Sequence, residues 1–340
     1  MERRQRKRRS PLWAKIMVVF GAILMVAGGG AFVAGKVAQD KVNEAVGQDD
    51  LLGEGARSEH EVDLHGPLNY LLVGSDQRVN STKPGLADTI IVLHIPEGMD
   101  RAFLVSIPRD TWLEIDCNGN VYYSKINASY TCGGTDRGAS FKSLSEAVHG
   151  LTGLTFDGGA IVDFEGFANV VGVIGTVELC LEKTITSIHT GKTFEKGCAR
   201  YGKDDALDIV RQRYQYADGD YARQRMQQQF IKNLLREAIA QGYVTDVTKV
   251  GDLLAAVGQS LTVDTNGIDP VDLAYALRGI SPESMTMVRV PSDVGTVGDQ
   301  SVINLIEPDA QGLWDAIAAD EMDAWAPANP EYINTGKAPK

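Results

Sequence analysis

The chain has 340 residues, 44% of them hydrophobic, which is enough to bury a sizeable core in one or two domains and excludes a largely disordered protein. Its net charge of −12 is unevenly spread, because the first fifteen residues carry seven Lys or Arg against one Glu. A basic arm on an acidic body excludes a nucleic-acid binder and suggests a chain divided between compartments.

The first element is apolar. Met17 to Gly35 reads MVVFGAILMVAGGGAFVAG, nineteen residues without charge or proline. At 1.5 Å rise per residue such a run crosses a hydrocarbon core of about 30 Å. RRQRKRR precedes it, and the positive-inside rule puts that arm in the cytoplasm. A cleaved signal peptide is the competing reading, but its apolar region usually has about 7–15 residues. The expected order is therefore a cytoplasmic arm at 1–15, a transmembrane helix at 16–35 and an extracytoplasmic remainder. Residues 36–66 are polar and charged and read as a stalk, with a short helix at 37–46.

From Leu68 the texture changes. LNYLLVG, DTIIVLHI and RAFLVSI are short, nearly continuous apolar runs, the pattern of central strands covered on both faces. Helical patterns follow at 141–151, 164–175 and 203–210. The strongest helix is 221–241, where Met226, Phe230, Leu234, Leu235, Ala238 and Ile239 form one stripe and Gly242 marks the stop. Further strands are expected at 176–181 and 284–290, and further helices at 247–259, 270–279 and 310–318. Strands mixed with helices indicate one α/β domain over 67–325. The Pro-rich end, 326–340, reads as a flexible tail.

Four cysteines, Cys117, Cys132, Cys180 and Cys198, lie beyond the apolar run, where an oxidising compartment would pair them. Three pairings are open; neighbour pairing, Cys117–Cys132 and Cys180–Cys198, closes two loops of similar, modest size. No C-x-x-C occurs, and the five histidines do not sit beside the cysteines at ligand spacing, which counts against zinc.

Charged residues punctuate the strand ends. LLVGSDQR (71–78) runs out on Asp76 and Arg78, LADTIIVLHI (86–95) opens near Asp88, and SIPRD (106–110) closes on Arg109. VRQRYQYADGDYARQRMQQQ (210–229) crowds arginines around Asp220. Strand ends of α/β sheets face the ligand crevice. Carboxylates there can hold a hard divalent cation, and converging arginines suit phosphate, since the guanidinium fork bonds two oxygens at once. Taken singly, each has a plainer reading, a turn aspartate for Asp76 or Asp88 and a surface ion pair for Arg109. Arg211 and Arg213 are two apart, so they share a face on an extended segment and diverge on a helix. Arg223 falls in the first turn of the long helix, three after Asp220 at the expected N-cap. A cation is unfavourable there, so a negative partner is implied. Lys125 and Asn127 of SKINASY could also reach the crevice. GCARYGKD (197–204) only mimics a phosphate-binding loop, because Asp204 replaces the required hydroxyl.

These segments together resemble the LytR–CpsA–Psr family of bacterial cell-envelope proteins. The likeness runs through LLVGSDQR, LADTIIVLHI, FLVSIPRDTWLEI, KINASY, GVIGTVELCL and ALDIVRQRY…DGDYARQRMQQQ, over roughly residues 67–242. It implies a three-layer α/β/α sandwich with a mixed central sheet and a hydrophobic tunnel for a polyprenyl chain. The implied activity is Mg²⁺-dependent transfer of an anionic glycopolymer from a polyprenyl-pyrophosphate carrier to a peptidoglycan hydroxyl. A lipid-pyrophosphate hydrolase and a non-catalytic envelope regulator are the alternatives.

Carried over by motif, Asp76 and Asp88 would hold Mg²⁺. Arg78, Arg109, Arg211, Arg213 and Arg223 would surround the pyrophosphate. Gln227 would line the site, and Asp220 would orient an arginine or act as base, a role Asp76 could also fill. The implied partners are the lipid-linked glycopolymer, peptidoglycan and membrane lipid. Two departures stand out. Where the family motif D-F-G-R-x-x-R-Q-Q has its second arginine this chain has Met226, with Arg225 one step earlier, and its G-G-V reads Gly175-Thr176-Val177.

Overall fold

The computed structural model describes residues 47–59, 66–77, 81–212, 215–216, 219–242, 258–268 and 280–334. The apolar run 17–35, the expected helix at 37–46, Arg78 and Arg213 lie outside them, as do most of 247–259 and 270–279. Among the described residues no helix is long and apolar enough to cross a membrane.

Eight strands form the central sheet: β1 (Gly47–Gln48), β2 (Leu68–Ser75), β3 (Ala87–Ile95), β4 (Ala102–Ile107), β5 (Gly158–Asp163), β6 (Leu261–Asp264), β7 (Met285–Arg289) and β8 (Ile333–Asn334). Their spatial order is β1-β6-β5-β2-β3-β4-β7-β8. β2 runs antiparallel to β3 and parallel to β5, while β4 runs antiparallel to β3 and parallel to β7. The sheet is thus mixed, as expected.

Alternation along the strands builds two cores. Leu72, Ile91, Leu93 and Leu104 point to one face; Leu71, Val73, Ile90, Val92 and Val105 point to the other. Helix α1 (Arg137–Thr152) covers the second face together with α5 (Asp309–Ala318) and α6 (Met322–Ala328). The first face is covered by α2 (Phe164–Ile174), α3 (Lys203–Val210) and α4 (Asp220–Ala240). Three layers result. Caps fix where two helices begin: Asp136 accepts the Ala139 N–H at 2.9 Å, and Asp163 accepts that of Gly166 at 2.8 Å.

Two boundaries shift. Residues 47–58, expected within a stalk, belong to the domain: β1 pairs with β6, and Leu51, Leu52 and Ala56 are buried. The Asp264 carboxylate accepts the N–H groups of Leu51 at 2.9 Å and Leu52 at 3.3 Å. The expected tail is likewise ordered to Asn334, since α6 packs on the core and β8 adds an edge strand. Three short hairpins lie outside the expected strands: Trp112–Cys117 with Asn120–Lys125, Ile185–Thr186 with Thr193–Phe194, and Ser292–Val297 with Gln300–Leu305. Both neighbour disulfides form, Cys117–Cys132 and Cys180–Cys198. The phosphate-loop mimic is half strand, as Gly197–Tyr201 pairs with Val177–Leu181 across the second disulfide.

Candidate active site

The site gathers at the end of the sheet where β2, β4, β5 and β7 finish and β3 begins. Asp76 follows β2. Its N–H bonds the Leu86 carbonyl at 3.3 Å and its Oδ1 accepts the Leu86 N–H at 2.7 Å, which pins the two strand ends together. The side chain is otherwise exposed. Asp88 lies one strand over, in a bulge: Gly74 pairs with Thr89 and Ser75 with Ala87, leaving Asp88 as the extra residue. Such a bulge re-aims a side chain and leaves its main chain unpaired in the ladder.

Two arginines use that opening. Arg109, from the turn after β4, donates from Nη1 to Asp88 Oδ1. Its Nε stands 4.0 Å from the carboxylates of both Asp110 and Asp220. Arg223, in the first turn of α4, donates from Nη2 to the Asp88 carbonyl at 2.9 Å and lies 2.5 Å from Asp220 Oδ1. Lys125 holds Asp110 at 3.2 Å. Burial disfavours the charged Arg109 guanidinium, but Asp88, Asp110 and Asp220 together outweigh that and hold its pKa above the ordinary value. The arginine stays charged in a largely desolvated place. Its buried Nε has no hydrogen-bond partner among the described residues.

Asp220 is not the N-cap the sequence suggests. Gly219 takes that position, and Asp220 is the first helical residue, buried and turned toward Arg223. The anionic partner implied for Arg223 is therefore supplied from inside the protein. Gln224 Nε2 bonds Asp220 Oδ2 at 3.2 Å, so that carboxylate is held from two sides. Gln227 is half-buried, four residues after Arg223 and on its side of the helix. Arg211 follows the last residue of α3, and its N–H bonds the Asp208 carbonyl at 3.3 Å.

The register of the late motif is visible in α4. Met226 is buried in the core, and Arg225 faces away from the cluster to pair with Glu182 at 3.0 Å. That pair lines a cleft of about 860 Å³ along the opposite face of α4. Thr176, the other departure, accepts the Arg200 Nε–H at 2.9 Å.

One arginine at this end was missed. Arg137 opens α1, with Nη1 3.8 Å from Asp163 at the tip of β5 and Nη2 bonded to the Ser260 carbonyl at 3.2 Å. The signal was present: like Arg223 it is a cation at a helix N-terminus, just after the capping Asp136.

Among the described residues no group of three His, Cys, Asp or Glu could cage a metal. The donors do suit a cation that takes one or two carboxylates and completes its shell with water and phosphate, as Mg²⁺ does. Asp76 keeps one oxygen open to solvent, and Asp88 spends Oδ1 on Arg109.

Comparison with known proteins agrees with this fold. The LytR_cpsA_psr family matches over residues 34–318, and the chain belongs to that family. It is 29% identical over 321 residues to Corynebacterium glutamicum cell wall biosynthesis protein LcpA, covering 83% of this chain and 61% of LcpA, so it spans less than two thirds of that relative. It is 27% identical to the polyisoprenyl-teichoic acid–peptidoglycan teichoic acid transferase TagU of Bacillus subtilis, over 76% of this chain and 79% of TagU. The crystal structure of B. subtilis TagV superposes with a TM-score of 0.62 at 19% identity, over 76% of this chain and 98% of TagV. TagT bound to LIIa-WTA gives 0.60 at 19% identity, over 79% and 98%.

Proposed function

We propose that this protein transfers an anionic glycopolymer from a polyprenyl-pyrophosphate carrier to a hydroxyl of peptidoglycan, on the outer side of a membrane anchored by residues 16–35. The family relatives named as teichoic acid transferases support the class of reaction. The observation that carries it here is the Asp88–Arg109–Arg223–Asp220 cluster, two guanidinium groups, Arg223 buried and Arg109 half-buried, held among carboxylates at the strand ends.

Arg109 and Arg223 grip the phosphate oxygens, with Arg78, Arg211 and Arg213 as further donors. Asp76 and Asp88 would hold Mg²⁺, which neutralises charge on the phosphates when bound. The acceptor hydroxyl attacks the sugar-linked phosphorus. A new O–P bond forms, the bond to the bridging oxygen breaks, and polyprenyl phosphate leaves with the electron pair. Positioning and charge neutralisation supply most of the acceleration in such transfers. Of the two candidate bases, Asp220 is buried and bonded to Arg223 and Gln224, which commits it to positioning. Asp76 is the carboxylate an acceptor hydroxyl can reach, and its Oδ1, which accepts only the Leu86 N–H among the bonds described and has a second lone pair, takes the proton while the other oxygen is left for the metal.

The test is turnover of a lipid-linked glycopolymer with and without a peptidoglycan acceptor. Product joined to the acceptor supports transfer. Release of free glycopolymer alone indicates a hydrolase, and no turnover of either kind favours a regulator.

A further inference from the structure

We propose that two hairpins beside the site form a membrane-docking surface, seated in the interfacial layer of the bilayer from which the donor lipid is drawn. The inference rests on the extracytoplasmic, lipid-using reading above.

The first hairpin, 112–125, springs from the site itself. It starts three residues after Arg109, and its last residue, Lys125, holds Asp110. Asn118 and Gly119 turn it with φ of 56° and 85°, the left-handed pair of a type I′ turn, and the Cys117–Cys132 disulfide ties it to the domain. Beyond that turn it presents Val121, Tyr122 and Tyr123 to solvent, Tyr123 at 61% exposure. The second hairpin, 292–305, starts at Ser292, whose carbonyl and hydroxyl hold the Tyr221 phenol next to Asp220. It exposes Val294, at 63%, and Val297. A bridge between Thr111 and Ile303 joins the two hairpins. Five of the six large apolar side chains exposed among the described residues sit on this pair. Apolar surface concentrated in one place marks an interaction site, whereas scattered residues do not.

The direction from which the chain enters selects the partner. Gly47 pairs with Thr262, Thr262 with Ile161, and Ile161 with Val73, close to the end of β2 that leads to Asp76. The described chain therefore begins at the same end of the sheet as the site and both hairpins. Residues 36–46 separate Gly47 from the apolar run, and eleven residues reach at most roughly 40 Å. That tether lets this end, the one nearest the apolar run along the chain, face the bilayer. Tyrosine favours the membrane–water boundary, with its ring in the apolar layer and its hydroxyl in water. The neighbouring acids set the kind of contact. Glu114 lies opposite Tyr123 and Asp116 opposite Val121, so attraction to anionic lipid is not the driving force. The contact is apolar and insensitive to salt.

The test uses the full chain reconstituted into phosphatidylcholine vesicles with brominated acyl chains. Trp13→Phe removes the tryptophan beside the apolar run, Tyr123→Trp, Val294→Trp or Ile188→Trp is added to that parent, and quenching of each added tryptophan is read as the difference from the parent, which keeps Trp112, Trp314 and Trp325. Quenching at 123 and 294 that persists in 1 M salt (a concentration that screens charge beyond about 3 Å), with none at 188, is expected. No quenching at 123 and 294, or equal quenching at all three, overturns the proposal. In parallel, Val121→Ser with Tyr123→Ser should raise KM about tenfold for a bilayer-embedded donor. It should leave kcat unchanged and leave a short-chain, water-soluble pyrophosphate donor unaffected. Intact Cys117–Cys132 in the variant, shown by peptide mass, verifies the hairpin. Loss with both donors, or with neither, overturns the docking role. Loss confined to a polymeric glycan acceptor, without quenching, overturns docking and assigns the hairpins to glycan instead. If the parent turns over neither donor, the proposed function fails, and quenching alone still decides the docking.

Discussion

Arg223 and Asp220, three residues apart in the first turn of α4, are joined at 2.5 Å, and the same arginine reaches the Asp88 carbonyl across the site. One turn of helix thus supplies both a cation and the carboxylate that aims it. Arg225, two residues on, is turned to Glu182 on the far side. This contrast makes a sharp comparison. Arg223→Lys and Arg109→Lys should each lower turnover of a lipid-linked pyrophosphate about 10- to 100-fold, because a point charge cannot replace a two-toothed fork. Arg225→Lys should stay within about twofold of the parent, as expected for a half-exposed ion pair. Equal damage at 223 and 225 in steady-state kinetics would place the clamp on the wrong face of α4.

Asp76 and Asp88 occupy adjacent strand ends, one open to solvent and one bonded to Arg109. Asp76→Asn and Asp88→Asn should each abolish Mg²⁺-dependent turnover and leave the melting temperature within a few degrees, since neither belongs to the core. Excess EDTA should do the same to the parent. Full activity in EDTA would remove the metal from the mechanism.

The disulfides close loops with sequence separations of 15 and 18. In the chain-entropy account each stabilises the domain by about 3 kcal/mol. Cys180→Ser with Cys198→Ser should lower the free energy of unfolding by that amount in urea titration, and non-reducing peptide mapping should recover only the two neighbour pairs. A crossed pair, or no change in stability, would contradict this account.

His94 is buried in β3, with Nδ1 2.9 Å from Asn69 Oδ1 and Nε2 3.0 Å from Asp320 Oδ1. Burial pulls its pKa below 6.5, although Asp320 pulls the other way. The unfolded chain therefore binds this proton at a higher pH than the folded one. Stability from the neutral ring is present above about pH 6.5 and is lost as the pH falls toward the depressed folded value. The urea midpoint should drop on acidification from about pH 7 to 5.5, and His94→Gln should flatten that slope. A midpoint that rises on acidification would show that the Asp320 pair dominates.

Local patterns alone determined much of this protein. Nearly continuous apolar runs over 68–74, 88–95 and 101–107 read as central strands, and the stripe from Met226 to Ile239 reads as a packed helix, because burial on a period of 2 or 3.6 leaves a signature in the sequence. Strand ends marked by Asp76, Asp88 and Arg109 are likewise legible in the sequence, and the sheet brings them to one end. Tertiary structure decided what those residues do to one another. Asp88 meets Arg109 because a bulge displaces it, and a bulge depends on how two strands pair. Asp220 is an ion-pair partner rather than an N-cap, because Gly219 takes the cap and Arg223 lies one helical turn on. Gln228 reads as one of three consecutive glutamines, yet it is buried and donates to the Leu104 and Val288 carbonyls and the Ser106 hydroxyl across two strands. Short hairpins and the edge strand β8 left no periodic trace, since a strand of two residues or a solvent-facing one buries too little to impose a pattern. Local sequence encodes which surfaces must be covered; partners distant in sequence are chosen only when the layers close over them.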